Sequence, residues 1–146
     1  MRSIEELTDV VRARGGKVTS QRLLIWRALE GDRTHPTAEA LLERVKPLLP
    51  SLSPATLYSV LNELVEWGDL RRFDAGDGSI HFDPDTSDHA ELICLRCHRV
   101  WDVPTSAAAR DVPEEIAGFR VLNHAEQYYG YCADCRRAAG ETATSA

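Results

Sequence analysis

A chain of 146 residues, 43% hydrophobic and 27% charged, is long enough for one or two small domains with real cores but not for a large one. No apolar run approaches the roughly 20 residues that a membrane-crossing helix needs. The first residues (MRSIEELTDVV) place acids where a secretion signal carries bases and an apolar stretch, so a cytoplasmic protein with no membrane partner is expected. The net charge of −6 argues against a nucleic-acid partner until its distribution is read. The first 75 residues carry 11 basic and 11 acidic side chains; the remainder carries 6 and 12. The acidic excess is confined to the C-terminal half, where a bound cation would offset part of it, and the balanced N-terminal half leaves DNA binding open.

In chain order, Ile4–Arg14 is predicted as an amphipathic helix stopped by Gly15-Gly16. Thr19 or Ser20 caps a second helix that runs to about Glu30, with Leu23, Leu24, Trp26, Ala28 and Leu29 as its apolar content. Pro36 is expected to restrict His35 to an extended geometry, and Thr37 caps a third helix from Ala38 to about Leu48. Ser53-Pro54 is a cap followed by proline at the first helical position. It begins a fourth helix, Ala55–Trp67, with Leu57, Val60, Leu61, Leu64 and Val65 at helical spacing. Leu70–Phe73 and Ser79–Phe82 read as strands around Ala75-Gly76-Asp77-Gly78. Three helices followed by a hairpin make a winged helix-turn-helix, with Ala55–Trp67 as its recognition helix.

Phe82–His89 (FDPDTSDH) is a linker, and the pattern changes beyond it. Glu91–Cys94 and Arg99–Val103 read as strands, Ser106–Ala117 as a helix, Phe119–His124 and Tyr128–Tyr131 as further strand material, and Arg136–Ala146 as a frayed tail. Two domains are expected, about 1–83 and 84–146, in an α+β fold. Cys94-x-x-Cys97 and Cys132-x-x-Cys135 supply four thiolates in two knuckles, the set that a tetrahedral structural zinc requires. A redox pair or plain buried cysteines are the bland alternatives. In a reducing compartment doubled pairs favour metal, and four thiolates leave no open position for catalysis.

The motifs Gly15–Arg22 (GGKVTSQR), His35-Pro36-Thr37-Ala38, Ser53–Tyr58 (SPATLY) and Phe82-Asp83 give the chain a strong resemblance to the ferric uptake regulator family of bacterial metal sensors. So do His89 and Glu91 before the first CxxC, Asp102, and His124 eight residues before Cys132. The resemblance covers nearly the whole chain. It implies a winged helix-turn-helix followed by a small α/β dimerisation domain closed by the four-cysteine zinc, working as a homodimer on double-stranded operator DNA when a divalent metal is bound. Family ligand positions carried onto this sequence give His35, Asp83, His89, Glu91 and Asp102 for the regulatory ion, a set drawn from both domains. Two imidazoles and three carboxylates make a hard site, which suits Mn²⁺ first and Fe²⁺ next. Peroxide-sensing members resemble the chain too, through the Asp102 position and the histidines at 35 and 89, so an iron-dependent peroxide sensor is the alternative. Asp88 and His124 are candidates for a weak second site, whereas Ala90 stands where relatives often offer a ligand. His81 and His98 are read as structural or exposed.

The same resemblance singles out Tyr58 as the recognition-helix side chain that meets thymine methyls or the backbone, and Ser59 as standing where many relatives carry arginine. Thr56 is a candidate donor to phosphate or base, and Lys17, Arg22 and Arg71 or Arg72 are candidate phosphate contacts. Two rival functions are a zinc-stabilised protein-interaction module and a metal-dependent enzyme. The complete winged helix speaks against the first; the lack of a nucleophile–base pair or cofactor loop speaks against the second.

Overall fold

The computed structural model describes residues 1–105, 112–122 and 124–140. The chain divides into two compact units, Met1–Asp74 with Gly78–Thr86, and Ala75–Asp77 with Ser87–Ala146.

In the first unit four helices precede a hairpin: α1 Ile4–Ala13, α2 Ser20–Leu29, α3 Ala38–Val45, α4 Pro54–Glu66, then β1 Arg71–Asp74 and β2 Ile80–Asp83. Each helix starts where a short polar side chain can accept the first free N–H groups. Ser3 and Glu6 form a reciprocal capping box, Thr19 accepts from the Arg22 N–H, Thr37 from Ala40, and Ser53 from Thr56 with Pro54 in the first turn. The apolar positions of α1, α3 and α4 then fall on one side, whereas α2 carries them round most of its circumference and buries Ile25, Trp26 and Leu29. Leu7, Ile25, Trp26, Leu29, Leu41, Leu57, Leu61 and Leu64 form a single core, closed from the hairpin by Phe82. The hairpin pairs antiparallel, Arg71 opposite Asp83 and Asp74 opposite Ile80. Gly76 and Gly78 in its turn take positive φ (77° and 81°), which costs glycine nothing.

The second unit is built on a three-stranded sheet in the order β4-β3-β7, from β3 Ala90–Cys94, β4 Val100–Val103 and β7 Glu126–Gly130. β3 is antiparallel to β4 and parallel to β7. A minimal hairpin, β5 Glu115–Ile116 with β6 Phe119–Arg120, precedes β7, and a short helix, α5 Ala133–Ala138, follows it. Among the described residues no helix is long and apolar enough to cross a membrane.

Three expectations change. Residues 106–111 of the predicted helix Ser106–Ala117 lie outside the described residues, and Glu115–Ile116 is a strand: Gly118 (φ 81°) lets the chain reverse and pair it with Phe119–Arg120. The first residues of the expected tail, Arg136–Ala138, belong to a helix, Ala133–Ala138, opened by Cys132, whose sulfur accepts from the Cys135 N–H, and residues 141–146 of that tail lie outside the described residues. His35 is not extended. Its φ is 48°, in the left-handed region that a non-glycine residue enters at a cost. Tertiary contacts impose this turn. The His35 carbonyl accepts from Nδ1 of His81 at 2.7 Å, and the Pro36 carbonyl accepts from the Phe82 N–H at 3.0 Å. Thr37 bridges His81, so strand β2 grips the segment on both sides of the proline.

Candidate metal centres

The four cysteine sulfurs lie within 4.8 Å of one another, and Cys97 Sγ is 3.8 Å from Cys132 Sγ. A tetrahedron with metal–sulfur bonds of about 2.3 Å requires sulfurs about 3.8 Å apart, so the donors fit a structural zinc with little movement. The knuckles are placed by the sheet. Cys94 ends β3, and the chain turns back through Leu95–His98, with the His98 N–H on the Cys94 carbonyl at 2.8 Å, before running into β4. Cys132 follows β7, the other neighbour of β3, and donates its own N–H to Cys94 Sγ at 3.4 Å.

Electrostatics prepare some of these sulfurs as anions and oppose having all four charged without a cation. Burial pushes the Cys94 thiol up, but N–H groups of Cys132, Cys97 and Arg96 outweigh it and bring it down to about 5. The guanidinium of Arg99 holds Cys97 below the ordinary thiol range. Cys135 is pushed up to about 12, by burial first and then by the other sulfurs. A dication resolves the conflict. The zinc would hold the two knuckles together and leave no open coordination position.

The predicted regulatory ligands divide between the two units, and each unit presents its own group. In the first, His35 and Asp83 are each about 1% exposed and offer ligand atoms no more than 4.8 Å apart. The His35 ring is held edge-on to Phe73 (centroids 5.7 Å, interplanar angle 71°), and Asp83 ends β2 and accepts from the Asp85 N–H at 2.8 Å. In the second, His89 Nδ1 engages the Ser87 carbonyl at 3.0 Å. Its Nε2 is thereby directed to Glu91 Oε1 at 3.7 Å and Asp102 Oδ1 at 3.8 Å. Glu91 on β3 and Asp102 on β4 are direct cross-strand partners. Two carboxylates facing each other this way repel, and Glu91 is only 3% exposed, so the pair suits a bound cation.

Asp88 and His124, the candidates for a weak second site, are both exposed. Among the described residues neither joins a group of three or more metal-binding side chains. His81 is buried, stacks on Phe73 and holds the His35 carbonyl; its role is to shape the His35 turn.

Of the predicted DNA-contacting residues, Lys17 and Ser59 are exposed, and Tyr58 is 42% exposed. The Tyr58 hydroxyl donates to Glu39 Oε1 at 2.9 Å. Glu39, Asn62, Arg72 and Ser79 gather round it in one hollow between α3, α4 and the hairpin. Arg22 is tied to Glu63 at 2.9 Å, Thr56 shares a hydroxyl contact with Ser53 at 2.9 Å, and Arg71 sits opposite Asp83 in the hairpin register. Glu39 and Arg99 do not stand out in the sequence. Glu39 looks like an ordinary first-turn acid, and Arg99 like a solvated strand charge.

Residues 13–129 match the ferric uptake regulator family. The peroxide-responsive repressor PerR of Staphylococcus epidermidis is 30% identical over 135 residues, spanning 91% of this chain and 90% of that protein. The fold is similar to that of the ferric uptake regulator of Helicobacter pylori, with a TM-score of 0.76 at 18% identity and 91% of each chain covered. A zinc-bound manganese uptake regulator aligns with a TM-score of 0.63 at 29% identity, covering 86% of this chain and 98% of that one.

Proposed function

Because the chain belongs to the ferric uptake regulator family, and so among metal-responsive transcriptional regulators, we propose that it is a manganese-dependent repressor with Fe²⁺ as the second-ranked activator. In this reading His35 and Asp83 from the first unit and His89, Glu91 and Asp102 from the second hold one regulatory ion, and Cys94, Cys97, Cys132 and Cys135 hold a separate structural zinc. The observation that carries it is the cross-strand pair of buried Glu91 and half-buried Asp102, with His89 Nε2 3.7 Å from the one and 3.8 Å from the other. An oxygen-rich group without thiolate favours Mn²⁺ over softer ions. A divalent cation would offset the repulsion between the opposed carboxylates. Ligands drawn from the DNA-binding unit and from the dimerisation unit convert occupancy into a preferred domain geometry, which selects the operator-competent homodimer. Tyr58, Ser59 and Thr56 on α4, with Lys17, Arg22 and Arg71, then face the operator.

A second reading is favoured by one observation, the 30% identity to a peroxide-responsive repressor over nearly the whole chain. There the same ligands hold Fe²⁺, and His35 or His89 gains an oxygen on exposure to peroxide. Titration of zinc-loaded protein with Mn²⁺ and with Fe²⁺ while following operator binding decides between them. Activation by Mn²⁺, without loss on peroxide treatment, is the expected result. Activation by Fe²⁺ alone, followed by an added oxygen on either histidine by mass spectrometry, replaces the manganese reading with the peroxide one.

A further inference from the structure

Arg99 begins the return from the first knuckle into β4, and its guanidinium is committed on three sides. Nε donates to Cys97 Sγ at 3.4 Å, and one terminal nitrogen approaches Cys132 Sγ at 3.7 Å. The same nitrogen donates to Asp134 Oδ2 at 2.7 Å, and the group lies over the Trp101 ring at 5.3 Å from its centroid. One cation therefore touches a sulfur of each knuckle, while Asp134 on α5 and the Trp101 face fix its plane. Arg96, also in the first knuckle, is a useful contrast. It donates to the Cys135 carbonyl at 2.8 Å and covers Tyr131, so it straps backbone and ring where Arg99 meets sulfur.

We propose that Arg99 is a positioning residue that retains the structural zinc by donating to a thiolate of each knuckle. Four thiolates around a dication leave an excess of two negative charges. The N–H groups of Arg99 place positive charge on two of the sulfurs that carry it, and a guanidinium fork spans both where a single ammonium cannot. Zinc leaves such a site when a thiolate swings away, and a sulfur held by Arg99 and fixed through Asp134 has less freedom to do so. The inference rests on the zinc reading of the cysteines. Elemental analysis separates the two: purified wild-type protein without zinc overturns that reading, and unchanged zinc release in the variants overturns the role of Arg99 alone.

The test is the rate of zinc transfer from full-length protein to a chromogenic chelator, with circular dichroism and melting of the zinc-loaded variants as the check on fold. Arg99→Gln is expected to release zinc roughly tenfold faster than wild type, Arg99→Lys by a smaller factor, and Arg96→Gln within about twofold of wild type. A wild-type rate for Arg99→Gln, or equal acceleration by Arg96→Gln, overturns the proposal, because strapping of the knuckles would then account for everything. Should Arg99→Gln not accumulate zinc-loaded, Arg99→Lys carries the measurement: faster release supports the role, and a wild-type rate removes it.

Discussion

His35 shows how one residue can be placed against its own preference. The residue before a proline favours extended backbone, and a left-handed non-glycine costs on the order of 1 kcal/mol. The His81 hydrogen bond to its carbonyl and the edge contact with Phe73 hold it there, beside Asp83. At the same scale the proposed regulatory ligands can be separated from the zinc. His89→Ala should abolish metal-dependent operator binding while zinc content and fold persist, since its imidazole joins Glu91 and Asp102 and touches no cysteine. Glu91→His replaces a hard carboxylate with an imidazole and should shift the preference from Mn²⁺ toward Fe²⁺ or Zn²⁺. Operator titrations with each ion check both variants, and a Glu91→His protein with unaltered metal preference removes Glu91 from the site.

At the scale of elements, the helices were legible because caps and apolar spacing agree. Thr19, Thr37 and Ser53 start three of them, and Leu57, Val60, Leu61 and Leu64 fall on the buried side of α4. The four cysteines, and the residues proposed as regulatory ligands, stand in recognisable motifs. What lay beyond the sequence depends on tertiary partners: the His35 turn on β2, the Glu115–Ile116 strand on pairing across Gly118, and Arg99 on sulfurs as far as 33 residues away. The recognition helix carries a prediction. Tyr58→Ala removes a half-exposed aromatic group that Glu39 orients, and should weaken operator binding by about 1–3 kcal/mol with metal binding unchanged. Lys17→Ala should weaken specific and non-specific DNA alike and lower the salt slope by about one unit. Gel-shift titrations at several salt concentrations distinguish them, and unaltered affinity for both misplaces the DNA surface.

The end of α4 is tied to the chain start by Asp69, whose carboxylate takes the Arg2 guanidinium at 2.6 Å and also its backbone N–H at 3.0 Å. Burial pushes the Asp69 carboxyl up, but the Arg2 contacts outweigh it and hold it below the usual carboxylate range. The stabilisation is therefore complete above an ordinary carboxyl pKa of about 4 and is lost as pH falls through the lowered folded value. Asp69→Asn should cost about 1–2 kcal/mol near neutrality, discounted for the partly exposed arginine, and the gap from wild type should narrow in acid. Urea denaturation at pH 7 and pH 3 measures it; a gap that is constant or widens in acid contradicts the pairing.

Across the whole molecule the two units are closed by different means. The first has one continuous apolar core running from Leu7 to Phe82. In the second, the described buried apolar residues are Ala75, Ala90, Ile93 and Cys94, while Leu92, Trp101, Phe119, Leu122, Tyr128, Tyr129 and Tyr131 are exposed. Among the described residues this unit buries little apolar surface, and a metal cross-link between Cys94 at the end of β3 and Cys132 after β7 would add to what that core supplies. Binding energies of structural zinc sites are about 10–16 kcal/mol, enough to decide whether such a unit folds. Cys94→Ser should therefore lose zinc, and with it the sheet of the second unit and the dimer, while α1–α4 keep their packing around Trp26. Elemental analysis, size exclusion and circular dichroism together read the three consequences. The helical signal should survive in a protein with no zinc and no dimer. A Cys94→Ser protein that keeps a full equivalent of zinc and remains dimeric would show that three thiolates suffice and that the second unit is held by something other than the four-thiolate cross-link.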